Sequence, residues 1–280
     1  MTGKTEKVDG AKRGDAVPGP AAVTRPERGI AVVTLDRPSQ RNALSLAMMA
    51  ALTQAVEVLG RDDTVSAIVL AANGPAFSAG HDLKELTGHR SEPDGGRDFF
   101  KLTMDACAAL MLTIVRCPKP VIAAVHATAT AAGCQLVATC DLAVAADTAK
   151  FCTPGVNIGL FCSTPMVALS RNVPRKRAME MLLLGDMISA NAAKEHGLVN
   201  RVVAPDRVMD EALEMARRIA AKSPATVAIG KEAFYAQVEK PLDEAYHYAV
   251  AVMVENMMIA DAEEGIGAFL EKRPPVWKGC

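Results

Sequence analysis

Aromatic side chains are scarce in this sequence of 280 residues: seven Phe, three Tyr and one Trp make up 4% of it. So little ring surface argues against a pocket built on stacking and leaves Met, Leu and Phe161 to line a flexible apolar channel. A basic excess is missing too. Lys and Arg number 31 against 32 Asp and Glu, a formal charge of −1, whereas nucleic-acid binding normally leaves a basic surplus. No nucleic-acid partner is expected, although Arg171, Arg175, Lys176 and Arg177 form a cluster suited to phosphate groups on a small ligand. No apolar run reaches the roughly 18 residues of a membrane span, so no membrane partner is expected.

Paired cysteines are also absent. Cys107, Cys117, Cys134, Cys140, Cys152, Cys162 and Cys280 are odd in number and lack the short spacings of a disulfide framework or a structural zinc site. Most stand among Ala, Leu and Val, the setting of buried, reduced thiols. No metal is expected, and a reducing compartment follows: the cytoplasm, or the mitochondrion for a eukaryotic source. The N-terminus has no apolar secretory segment, and Glu6, Asp9 and Asp15 count against a transit peptide. Residues 1–24 read as a flexible tail.

What is present supports a large core: half of the residues are hydrophobic and 22% are charged. Strand-like runs at 30–35, 65–71, 121–125 and 142–145 alternate with helical spacing at 44–59, 99–115 and 134–139, the pattern of an α/β layer fold. The polar stretch 88–96, with Pro93, Gly95 and Gly96, reads as a mobile surface loop. From Pro174 onward the periodicity is helical at 175–184, 190–196, 207–221, 225–238 and 242–258, with a short strand at 199–203. The expected division is a tail at 1–24, an α/β core at 25–205 and a helical C-terminal region at 206–280.

Two turns carry small residues ahead of a helix: Phe77-Ser78-Ala79-Gly80-His81-Asp82-Leu83-Lys84, and His126 to Gln135 through Ala131-Ala132-Gly133. Small side chains let backbone N–H groups approach a ligand, and a helix N-terminus favours developing negative charge. They also serve plain helix–strand packing. Periodicity alone leaves both readings open.

The order of motifs adds a resemblance. It runs through Asp36-Arg37-Pro38 with Arg41-Asn42-Ala43-Leu44, Phe77 to Leu83, Lys119 to Val125, Ala132-Gly133-Cys134-Gln135-Leu136 and Cys140-Asp141-Leu142-Ala143. Gly185 to Ala190, His196-Gly197-Leu198-Val199 and Ala268 to Arg273 complete it. From residue 28 onward the chain resembles the crotonase (enoyl-CoA hydratase/isomerase) superfamily. Ser78 to Leu86 and Thr153 to Pro165 resemble its branch of enoyl-CoA hydratase domain-containing protein three. The resemblance implies a core of repeated ββα turns, a helical trimerisation region, and a homotrimer or dimer of trimers. It also implies an acyl-CoA thioester as substrate or ligand, with no other cofactor.

By motif position, the thioester oxygen would lie between the backbone N–H groups of His81 and Ala132, an oxyanion hole. Ala132 replaces the family's usual Gly and would bring a methyl group near the ligand. The CoA arm would run past Arg41, Ala43, Ala79, Asp82, Leu83 and Lys84, and Phe269 and Lys272 would reach a neighbouring subunit's CoA.

The family's acid and base are missing. Hydration needs a group that activates water and another that protonates the α-carbon, tasks that two carboxyl groups share. The resemblance places glutamates at Gln135 and Gly155, and a related isomerase aspartate at Asn157. Gln135 and Asn157 remain as polar groups of the site. Cys134 or Cys162 with His81 would offer nucleophilic chemistry only with a lowered thiol pKa; a carboxylate from elsewhere, such as Asp105, would also change the reading. Two functions stay open. One is an enzyme on acyl-CoA that is not an ordinary hydratase; the other is a non-catalytic acyl-CoA binder or regulatory subunit.

Overall fold

The computed structural model describes residues 19–280. Its strands are β1 (Ala21–Glu27), β2 (Gly29–Leu35), β3 (Val65–Ala72), β4 (Val121–Val125), β5 (Ala129–Thr130), β6 (Leu142–Ala146), β7 (Lys150–Cys152), β8 (Ile188–Ser189) and β9 (Arg201–Val203). Its helices are α1 (Leu46–Gly60), α2 (Leu83–Gly88), α3 (Arg97–Arg116), α4 (Ala132–Thr139), α5 (Ser163–Asn172) and α6 (Arg175–Leu184). After them come α7 (Ala190–Glu195), α8 (Val208–Ala220), α9 (Pro224–Gln237), α10 (Leu242–Met258) and α11 (Ala260–Leu270).

The main sheet has the order β1-β2-β3-β4-β6-β9. Only the β1–β2 pair is antiparallel; the others are parallel. Every residue of β4 is buried, as expected for a parallel strand covered on both faces, and this is why it reads as an uninterrupted apolar run. Helix α8 packs on β2, β3, β4 and β6, burying Val208, Ala212, Met215 and Ala216. The helical stretch after residue 205 therefore begins with a helix of the α/β layers. A second, small sheet of order β5-β7-β8 stands beside α4.

This is the α/β core with C-terminal helices that the sequence suggests, with local corrections. Of the tail expected over 1–24, residues 21–24 belong to a strand, because Ala21–Glu27 pairs with β2; residues 1–18 lie outside the described residues. The irregularity between Thr24 and Glu27 accommodates Pro26 on an edge strand, where a missing N–H is tolerated. The stretch 88–96 is tied rather than loose. Asp94 accepts from the N–H groups of Gly96 and Asp98 at 2.8 Å each, and the His89 ring stacks on Phe99 at 3.4 Å. Helix α5 escapes the sequence reading because Pro165 stands in its first turn, a position where its missing N–H costs nothing.

Helix α9 is anchored to the core through a buried ion pair. Lys231 donates to Asp141 at 2.7 Å and also to the carbonyls of Ile114 and Lys119. Asp141 accepts in turn from Tyr235 and from the Val121 N–H. Burial of such a pair is tolerable because nearly every donor and lone pair is used.

Candidate functional site

Asn42 builds the first wall of the site. It is fully buried; its Oδ1 accepts from the Arg37 N–H, and its Nδ2 donates to the carbonyls of Asn73 and Ala76. Arg41 and Asn42 both take φ of 51°, which closes the tight turn. The 41–44 segment then laces onto 78–81: the Ser78 hydroxyl donates to the Asn42 carbonyl at 2.9 Å, the Ala79 N–H to Arg41 at 3.0 Å, and the Leu44 N–H to Gly80 at 2.7 Å. Arg41, Ala43 and Ala79 are brought side by side in this way.

The second turn docks on the first. The Thr130 N–H donates to Ser78 at 3.0 Å, and the Ala131 N–H to Cys152 at 2.9 Å. Two glycines set how closely they approach. A Cβ on Gly133 would fall 2.4 Å from the Ser78 carbonyl oxygen, and one on Gly80 would fall 2.8 Å from the Ala131 Cβ and 3.2 Å from the Ala132 nitrogen. Ala131 itself has φ 49° and ψ −119°, a conformation that costs roughly 1–3 kcal/mol outside glycine. It turns the chain from β5 into α4 within one residue and leaves the Ala132 N–H as a free helix-end donor. Among the described residues, the backbone N–H groups of His81 and Ala132 find no acceptor.

Two side chains here are closed off by burial. Ala132 is wholly buried and its methyl belongs to the hydrophobic core, because the turn points it inward; it does not line an open cavity. Both ring nitrogens of His81 are sealed from solvent without a partner. Burial lowers the His81 pKa, so the imidazole is neutral at pH 7. The thiols are poor nucleophiles. Burial raises the pKa values of Cys134 and Cys162, and pushes those of Cys107 and Cys152 up to about 11.

Gln135 is 4% exposed on α4, three residues after Ala132 and on the same side of the helix. The Cys107 thiol of α3 donates to its Oε1, with sulfur and oxygen 3.6 Å apart. Position 155 is closed by backbone: a Cβ on Gly155 would lie 2.6 Å from the Leu160 carbonyl oxygen and 2.9 Å from the Cys162 sulfur. The Leu160 N–H donates to the Gly155 carbonyl at 2.9 Å, which holds the loop in that shape. Asn157 is exposed, with its Nδ2 against Gly185, and no hydrogen bond connects it to Gln135, His81 or Ala132. Asp105 is likewise exposed and pairs with Lys101.

Of the remaining residues, Asp82 caps α2 by accepting from the N–H groups of Lys84 and Glu85. Leu83 and Lys84 are exposed beside it. Phe269 and Lys272 lie exposed at the far end of α11 and are not joined to the two turns by any hydrogen bond. No cluster of His, Cys, Asp and Glu suited to a metal occurs among the described residues. A separate groove of about 450 Å³ between α1 and α3 involves Gly60, Leu112 and Pro118 but none of these site residues. Sequence reasoning missed Cys107 as a partner of Gln135 and Asn42 as the brace. For Asn42 the Arg-Asn-Ala-Leu motif was the available signal; Cys107 had none.

The chain has known relatives. The enoyl-CoA hydratase/isomerase family profile matches residues 25–280. The rat protein named enoyl-CoA hydratase domain-containing protein 3, mitochondrial, is 48% identical over 254 residues, 91% of this chain and 83% of its own. Among solved structures, an enoyl-CoA hydratase from Mycobacterium smegmatis is 54% identical with a TM-score of 0.88, covering 92% of this chain and 98% of that one. Human enoyl-CoA hydratase domain-containing protein 3 is 47% identical with a TM-score of 0.87, covering 92% and 100%. The chain belongs to the crotonase, or enoyl-CoA hydratase/isomerase, superfamily and is an enoyl-CoA hydratase-like member of it.

Proposed function

We propose that the protein binds acyl-CoA thioesters, with the thioester oxygen held by the backbone N–H groups of His81 and Ala132, and that it is not an ordinary hydratase. The observation that carries this reading is the pair of N–H groups without acceptors on two interlocked turns. A thioester oxygen gains charge in an enolate or tetrahedral intermediate, and fixed donors aimed at it stabilise that charge; loss of one such donor typically costs about 100- to 1000-fold in rate. The CoA arm follows Arg41, Ala43, Ala79, Asp82, Leu83 and Lys84.

Hydration is disfavoured because Gln135 holds no proton-transfer pKa and Gly155 has no room for a side chain. Enolate-forming isomerisation, decarboxylation or thioester hydrolysis suits such a frame better. The non-catalytic binder is the second reading, favoured by the raised thiol pKa values and by the absence of a carboxylate bonded to Gln135 or His81 among the described residues.

The assembly belongs to the proposal as well. Tyr246, Val250, Met253, Val254 and Met257 are exposed along α10, and a homotrimer or dimer of trimers would cover them. It would also carry Phe269 and Lys272 to a neighbour's CoA. For a eukaryotic source we place the protein in the mitochondrion, in line with the rat relative's name.

The test assays purified protein with crotonyl-CoA and a panel of acyl-CoA esters, with mass by light scattering. Ester binding without hydration is expected. Hydration at ordinary enzyme rates, unaffected by Gln135→Ala, would overturn the reading of the site.

A further inference from the structure

We infer that Cys107 fixes the amide of Gln135 with its NH2 group toward the acyl chain, and that this selects CoA esters bearing an oxygen on the third acyl carbon. The inference rests on the reading that a CoA ester occupies the two turns.

Three observations lead to it. First, the amide has a defined orientation. The Cys107 sulfur lies 3.6 Å from Gln135 Oε1, and burial pushes the thiol pKa up to about 11, so the thiol stays protonated and donates. The carbonyl end of the amide accepts that S–H, which turns the NH2 end the other way. Second, the NH2 end is free. Nε2 has no hydrogen-bond partner among the described residues and, unlike the ring nitrogens of His81, is not sealed from solvent. Third, its position is set by the helix. Gln135 stands one turn after Ala132, and long helical side chains lean toward the N-terminus, so the amide lies over the first turn of α4. An ester whose carbonyl oxygen sits on the Ala132 N–H would carry its acyl chain past this point.

The chemistry then follows from what an amide can do. A glutamate here would accept a proton from water. Gln135 presents two N–H donors and takes no proton. Against a plain hydrocarbon chain those donors lose water and gain nothing, whereas a keto, hydroxyl or carboxylate oxygen at the third carbon would pair with them. An unpaired buried donor is costly enough to give roughly ten-fold or greater discrimination.

Calorimetric titration with free CoA, butyryl-CoA and acetoacetyl-CoA tests this, since the last two differ only in the third-carbon oxygen. Acetoacetyl-CoA is expected to bind about ten-fold or more tightly than butyryl-CoA. In Cys107→Ala that preference should shrink toward unity with butyryl-CoA affinity unchanged, and Cys107→Ser, which keeps a donor, should retain it. Gln135→Met, close in shape but without donors, should abolish it. Equal affinity of the wild type for the two esters overturns this inference and leaves acyl-CoA binding standing. Parallel weakening of both esters in Cys107→Ala overturns the positioning role of Cys107. Failure of every ester to bind overturns the proposed function and this inference with it.

Discussion

Helix α4 and the loop running from Pro154 to Cys162 both leave the β5–β7 strand pair, and the family resemblance assigns each a carboxylate position. The two positions differ in the room they leave for one. On α4 all eight residues are buried, and Gln135, at the position the resemblance gives to a glutamate, has a side chain of nearly the same shape. A carboxyl group would fit the space that its amide fills. In the loop, the Leu160 carbonyl and the Cys162 sulfur stand where a Gly155 side chain would begin. One substitution would place a carboxylate on the helix, whereas backbone closure leaves no room for one in the loop. The chemistry open to the site is therefore set more firmly by the loop than by the helix.

The largest expected effect breaks the frame that both regions share. Gly133→Ala places a methyl carbon 2.4 Å from the Ser78 carbonyl oxygen, so α4 must move off the first turn. Overpacking of this kind costs about 3 kcal/mol, and it would move the Ala132 N–H away from that of His81, the pair proposed to hold the thioester oxygen. Chemical denaturation should show that loss, and titration with crotonyl-CoA should show weakened binding. Wild-type affinity in this variant would mean the two turns do not hold the ligand.

The next prediction separates loop from helix. Gly155→Ala should destabilise by about 1–3 kcal/mol, because the new methyl meets backbone at 2.6 Å. Gln135→Glu keeps the volume, so its cost comes from burying a carboxyl group. It should not create hydratase activity alone, nor together with Gly155→Glu. Crotonyl-CoA turnover in that double variant at ordinary hydratase rates would show that the loop opens readily.

A smaller effect comes from His81, at the edge of the first turn. Burial holds its folded pKa below the ordinary histidine value of 6.5, so the unfolded chain binds the proton more readily. Stability is then highest above pH 6.5 and declines as pH falls through that value. His81→Gln should remove that part of the slope in denaturation curves measured between pH 5 and 8, on the order of the range where histidine titrates. An unchanged slope would show that the ring finds solvent or a partner.

The contrast also explains what could be read from the chain. Strands β3, β4 and β6 were legible because burial on both faces makes each an apolar run. Helix α10 was legible from its periodicity, although only Ala245 is buried in it. Strands β5, β7 and β8 have two or three residues, too few for a period, and Gly265 and Gly267 disguise α11. At the site, small residues exposed the two turns and the motif order supplied the positions of Gln135 and Gly155. The Cys107–Gln135 bond spans 28 residues between two helices, and the closure at Gly155 depends on a backbone hydrogen bond from Leu160. Neither leaves a pattern in composition or spacing.

The smallest effect is the most specific, and its sign is unusual. Glycine in place of alanine normally destabilises by restoring freedom to the unfolded chain, by about 0.4–1 kcal/mol. At Ala131 the folded backbone already sits at φ 49°, ψ −119°, where a Cβ costs roughly 1–3 kcal/mol. Ala131→Gly should therefore stabilise the protein by about 1 kcal/mol, the difference between those terms. The strain lies one residue before the Ala132 N–H, so its relief tests whether that donor is held in place by the fold around it. If the docking of Gly80 and Gly133 fixes the turn, the variant gains stability and keeps its CoA-ester affinity. If the Ala131 methyl is itself what wedges the donor into position, stability rises while affinity falls, and denaturation paired with titration of this one variant distinguishes the two.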